Sequence, residues 1–358
     1  MLSFAPTEEQ EEIRHLARSI AVDHLRAQGR SAERSGDLSP ALTQTLAQTG
    51  LTTPFPEKYG GSGSIEAMAY ALIAEELGFG DGGLAMNIIG SLMGPVAVAL
   101  AGNEQQCETH ISPFGYGNSA ERGCLAFAER TGGYSLSEIS TTFRRDGQHV
   151  ILCGTKRDVI HGEQASLRVL LARQEGGEDI YAFVLPHGAE GLKTVPETHK
   201  LGLLAVPSAS YTLDDVRIPA DAMLASTTGA VRAATLYAIL RAGVACGTAR
   251  AALEYAGQYA EERIAFGRPI VSYQGIAFIL AEMAMNLDSA RLLLWNAATS
   301  WDRDVDATTL VRDAEAAQNQ ALKIGKSATI DAVQVMGGAG FMQDHPAEMW
   351  MRNAATME

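Results

Sequence analysis

This 358-residue chain is short of positive charge: 28 Lys and Arg stand against 42 Asp and Glu, a formal net charge of −14. A field of that sign repels phosphodiester backbones and anionic lipid, which argues against nucleic-acid binding. Cysteine is sparse too. Cys107, Cys124, Cys153 and Cys246 are widely separated, with no CxxC and no metal-ligand spacing. They read as reduced thiols in or near a core, and no metal site is expected. No uninterrupted apolar stretch reads as long enough to cross a bilayer, so no membrane insertion is expected. The opening MLSFAPTEEQEEIRHL is acidic and has no apolar leader segment. These absences lead to the expectation of a cytoplasmic protein.

What is present is ordinary globular material. Hydrophobic residues make up 46% and charged residues 20%, which excludes disorder along the whole chain. The length suffices for two or three domains.

Periodicity divides the chain in three. Residues 1–122 read as a helical domain. Thr7 and Gln10 form a capping-box pattern ahead of an apolar face at Ile13, Leu16, Ala17 and Ile20. Ile65, Met68, Ala69, Leu72 and Ile73 repeat the helical spacing, and Met86 to Ala101 reads as a buried helix. Residues 123–228 read as an antiparallel β domain, because short apolar runs alternate with turns such as RRDGQ and RQEGGED. Residues 229–358 return to long helices, over 230–262, 274–300 and about 308–336, broken by a loop at Phe266 to Pro269. That order suggests an up-down bundle. The fold class expected is mostly α with a central antiparallel β domain.

Several motifs carry a resemblance across nearly the whole chain. Glu262-Arg263-Ile264-Ala265-Phe266-Gly267, Tyr273 to Phe278 and Leu280 to Ala284 run in register. Gln334-Val335-Met336-Gly337-Gly338-Ala339-Gly340-Phe341 follows, then His345 to Glu348 and Arg352-Asn353-Ala354. Near the front stand Glu57 to Gly61 and Glu75 to Gly78. Together these resemble the acyl-CoA dehydrogenase family. The resemblance implies an N-terminal helical domain, a β-barrel-like middle domain and a C-terminal four-helix bundle, here without its last helix.

It also implies chemistry: FAD-dependent α,β-desaturation of an acyl-CoA thioester, within fatty acid metabolism. A pyrophosphate calls for a fixed guanidinium and close backbone amides. By resemblance, Arg263 would hold the FAD pyrophosphate and Phe266 would pack nearby. Gln334, Gly337 and Gly338 would meet the same region, on the FAD of a neighbouring subunit. A homodimer, homotetramer or heteromer with a related dehydrogenase subunit is therefore implied. The plain alternatives are an ordinary helix-end arginine at Arg263 and a helix C-cap at Gly337-Gly338. Met283 and Met285 read as core packing.

Other family positions are altered. The catalytic glutamate would fall a few residues beyond Glu358. The position where a minority of members carry the base is Tyr237, so no catalytic residue is assigned. The family's T-E-P-x-A-G-S-D corresponds to Ala128 through Ser135, with Ala128 for the threonine and Tyr134 for the serine. In Gly154 to Gly162, Asp158 replaces a tryptophan and Ile160 a threonine. A polar segment has become Leu204-Ala205-Val206-Pro207. Asp158 and His161 read as a solvated turn more readily than as a new acid–base pair. Residues serving the chain's own flavin and thioester are changed, while those serving a neighbour's FAD are kept. Three roles stay open: a working FAD-dependent dehydrogenase, a non-catalytic subunit completing a neighbour's FAD site, or a flavin enzyme of changed chemistry such as a monooxygenase, for which no residue argues specifically.

Overall fold

The computed structural model describes residues 6–118, 121–129 and 134–358. The helical front begins with α1 (Glu8–Ile20), where Thr7 and Gln10 close the capping box as expected. Ala17 and Ile20 are buried there, whereas Leu16 is exposed. One π-helical turn (Ala21–Leu25) leads into α2 (Arg26–Ser35), followed by α3 (Pro40–Ala47). Two central helices come next, α4 (Ala67–Gly80) and α5 (Gly82–Ala101), then the short α6 (Glu104–Ile111). Ile65 lies just outside α4, which starts two residues later.

The middle sheet comprises β1 (Gly123–Ala126), β2 (Thr142–Asp146), β3 (His149–Ile160), β4 (Leu167–Gln174), β5 (Ile180–Val184), β6 (Leu192–Pro196) and β7 (Ser208–Pro219). The order is β1-β4-β2-β3-β7-β6, with β5 also on β4. Pairing is antiparallel except at β4, which receives β1 and β2 in parallel. Phe143, Phe183, Tyr211 and Val216 help fill the sheet's own apolar core. The long β3–β7 ladder shifts register twice, the second time between Lys156 and Val159. Such irregularities re-aim side chains. Here the shift holds Asp158 at φ 52.

The C-terminal part is built on α7 (Thr227–Glu262), a helix of 36 residues. A two-stranded ribbon, β8 (Ile264–Ala265) and β9 (Arg268–Pro269), forms where a plain loop was expected. Then come α8 (Gln274–Asp302), α9 (Ala307–Met336) and α10 (Ala347–Met357). Helices α5 and α7 are long and apolar enough to cross a bilayer, contrary to the sequence expectation. Both are mostly buried inside the protein, and that burial accounts for their composition.

Small residues let α7 lie almost in contact with α4. A Cβ at Gly247 would sit 2.0 Å from Glu75 O, and one at Gly78 would sit 2.4 Å from Val244 O. Larger residues at those points would force the helices apart. Beside this seam Glu75 pairs with Arg291 at 2.9 Å, and Glu76 pairs with Arg250 at 2.6 Å and Arg18 at 3.0 Å. Three arginines thus meet two buried carboxylates beside the seam. Asp302, at the end of α8, accepts from the Ala67 and Met68 amides and caps α4. Met283 packs in the core as expected, but Met285 is 65% exposed because it falls on the outer face of α8.

Gly247→Ala tests the seam. It should destabilise the protein by about 1–3 kcal/mol, the scale of overpacking. Urea unfolding reads this, and an unchanged midpoint would contradict the close approach.

Candidate functional site

Two regions hold the residues singled out above. The first lies where β3 meets the helices. Lys156 is fully buried, and its ammonium donates to Glu129 at 2.8 Å and to Phe127 O at 3.3 Å. Burial lowers the Lys156 pKa to about 8 against the opposing pull of Glu129. Burial pushes the Glu129 carboxyl up, but Lys156, Ser140 and Thr141 outweigh it and hold it at about 2. This ion pair fixes the strand that carries Asp158 and Ile160.

Around it, Ala128, Tyr134, Ile160 and Tyr237 are all buried. Tyr134 meets Phe127 edge-on at 5.4 Å and Tyr237 at 5.8 Å, ring centroid to centroid. Its hydroxyl donates to Asp158 O at 3.2 Å. The Arg241 guanidinium lies 3.6 Å above the Tyr134 ring. Only a cavity of about 40 Å³ remains, lined by Tyr134, Asp158, Ile160, Lys200, Val206 and Arg241 among others. It borders an open cleft of about 710 Å³ between the sheet and the end of α10, and both are lined by Asp158, Lys200 and Thr356. The structure therefore gathers the altered motif positions around one small space. Arg130 to Gly133 of that motif lie outside the described residues.

His161 overturns the expectation of a solvated turn. It is fully buried. Its Nε2 lies 3.1 Å from Asn87 O, and its Nδ1 faces Gln164 at 3.4 Å and Arg122 at 3.5 Å. Burial, helped by Arg122, lowers its pKa and favours the neutral ring. The side chain ties β3 to α5, while its neighbour Asp158 lines the cavity and the cleft.

The second region is the far end of the bundle. Arg263 caps α7 and is exposed. Phe266 is 97% exposed at φ 51. Gln334, Gly337 and Gly338 are exposed as well. Gly337 closes α9 at φ 56, and its amide donates to Gln334 O, so the C-cap reading holds. A Cβ on Gly337 or Gly338 would meet nothing within 4 Å, so internal packing does not explain these two glycines. The Tyr255 hydroxyl lies 2.8 Å from His345 Nδ1, and Tyr259 meets the same ring at 6.1 Å. Arg263, one turn beyond Tyr259, therefore shares an end of the bundle with the segment after α9.

Comparison with known proteins decides the family. The models for the acyl-CoA dehydrogenase N-terminal, middle and C-terminal domains match residues 7–117, 124–216 and 229–358. The human mitochondrial short-chain specific acyl-CoA dehydrogenase is 33% identical over 86% of this chain and 75% of that protein. This chain belongs to the acyl-CoA dehydrogenase family. A probable acyl-CoA dehydrogenase of Bacillus subtilis is 29% identical over 100% of this chain and 95% of its own length. Among solved structures, butyryl-CoA dehydrogenase from Megasphaera elsdenii superposes with a TM-score of 0.85 at 27% identity, covering 99% of this chain and 95% of that one. Family membership implies a flavin.

Sequence reasoning missed Arg241. It is an arginine inside the apolar run TLYAILRAGVACG, and that isolation was a signal that could have found it. Lys200, bridging cavity and cleft, carried no comparable signal.

Glu129→Gln tests the ion pair under the site. The Glu129 pKa lies below its ordinary value, so its contribution is complete above about pH 4.5 and is lost as pH falls toward about 2. The variant should lack that part of the acid limb. At neutral pH it should be less stable by about 3 kcal/mol, because Lys156 stays buried without its carboxylate. Unfolding curves from pH 2 to 7 check both.

Proposed function

We propose that this chain serves as a partner subunit of an acyl-CoA dehydrogenase assembly, where it completes the FAD site of an adjoining subunit. The observation that carries the reading is the contrast between the two regions. At the bundle end a guanidinium, an aromatic ring, an amide side chain and two glycines face outward. These groups suit a pyrophosphate and the dinucleotide around it. Arg263, Gln334 and the Gly337–Gly338 backbone would hold the phosphates, with Phe266 alongside.

The enclosed cavity of the other region is too small for a flavin ring. Tyr134 fills the space, and the cavity left is about 40 Å³. An ordinary ligand pocket offers roughly 300 Å³ or more. Tyr237, at the alternative base position, is a buried phenol whose pKa burial pushes up to about 12. No step of the desaturation is therefore assigned to this chain's own residues. In this reading the acyl-CoA thioester is oxidised on the adjoining subunit.

A second reading has one supporting observation. The open cleft of about 710 Å³ is large enough for a cofactor lying outside the Tyr134 cavity. The chain would then carry its own FAD and desaturate an acyl-CoA itself.

Flavin content separates the two. The native assembly, isolated with its related subunit, should contain fewer FAD than chains. Arg263→Ala should cut flavin retention at least tenfold without changing the thermal midpoint of the isolated chain. One FAD per chain in a homomer, retained in Arg263→Ala, would overturn the proposal in favour of the second reading.

A further inference from the structure

Arg241 lies near the middle of α7 and is 3% exposed. Its Nη1 donates to Gln318 Oε1 at 2.9 Å and its Nη2 to Met357 O at 2.6 Å. Its Nε is buried and has no hydrogen-bond partner. Among the described residues no carboxylate lies within ion-pair distance of the guanidinium, whereas Arg250 and Arg291, farther along the helical core, each face one. A buried cation with neither an anion nor a full set of acceptors is costly. The cost is offset when an anion arrives, and the guanidinium fork matches a carboxylate in two parallel hydrogen bonds.

The space beside Arg241 has the right size. The cavity, at about 40 Å³, admits a small group such as a carboxylate and not a ring system. Lys200 adds a second cation at the boundary with the cleft, and Asp158 opposes them there. A molecule lying in the cleft could thus extend a carboxylate past Lys200 toward Arg241.

We propose that the cavity walled by Arg241, Tyr134 and Lys200 is a binding site for a carboxylate, carried either by a small free acid or by the end of an acyl thioester lying in the cleft. The site goes beyond the subunit role argued above. Flavin content reads that role, and carboxylate affinity reads this one, so either can fail alone.

Calorimetric titration of the intact protein with acetate, succinyl-CoA and butyryl-CoA tests it. Saturable binding of acetate assigns the site to free acids. Succinyl-CoA binding at least tenfold tighter than butyryl-CoA assigns it to the acyl end. Arg241→Gln should weaken whichever of acetate or succinyl-CoA binds by tenfold or more. Asp158→Asn removes the opposing charge, and Asn tolerates the same left-handed backbone, so it should tighten that binding at least threefold. Absence of binding by both carboxylate probes overturns the proposal, as does binding unchanged in Arg241→Gln. If Arg241→Gln does not fold, an unchanged affinity in Asp158→Asn overturns it.

Discussion

The close seam between α4 and α7 governs most of what this chain can do. Gly78 and Gly247 let two backbones touch, and the paired carboxylates of Glu75 and Glu76 are locked by arginines from α1, α7 and α8. A helix of 36 residues, held rigidly along its middle, can serve two distant sites at once. Its central turns place Tyr237 and Arg241 beside the β domain. Its last turn delivers Arg263 to the outer end of the bundle. Rigid delivery of this kind holds a functional side chain in one place.

The limited stock of positive charge sharpens this picture. With a net charge of −14, most arginines near the helical core are committed to carboxylates there. Arg263 and Arg241 are among the arginines that do not follow that pattern. Arg263 is exposed with no acidic partner among the described residues, and Arg241 is buried with none. Cations left without counter-charges in an acidic protein are the natural places for anions to bind. The two regions share that logic while differing in burial, and burial separates the ligands proposed for them. An exposed guanidinium suits a bulky dinucleotide presented by another subunit, whereas an enclosed one admits only a group the size of a carboxylate.

Much of this was legible from residues alone. The long helices announced themselves through periodicity, and the Thr7 capping box appeared where its pattern placed it. The outward-facing set at Arg263, Phe266 and Gln334 to Gly338 followed from motif register, because those residues are contiguous with helix ends. Tertiary facts were harder. The burial of His161 depends on Asn87 of α5, far away in sequence, so Asp158 and His161 read from sequence as a solvated turn. Met285 and Met283 look alike in sequence, yet only Met283 faces the core. The parallel entry of β1 and β2 onto β4 is topological and leaves no local signature. The crowding at Tyr134 was half visible: the substitution could be read, but the closure needed the positions of Phe127 and Tyr237.

The outward-facing groups at the bundle end are proposed to act on a dinucleotide belonging to another chain. A structure of the FAD-loaded assembly measures this directly through the surroundings of the Arg263 guanidinium. A pyrophosphate of the adjoining subunit's FAD is expected within hydrogen-bonding distance of Arg263, with the Gly337–Gly338 backbone beside the same cofactor. An Arg263 left in solvent, or directed at a cofactor held by its own chain, would contradict it.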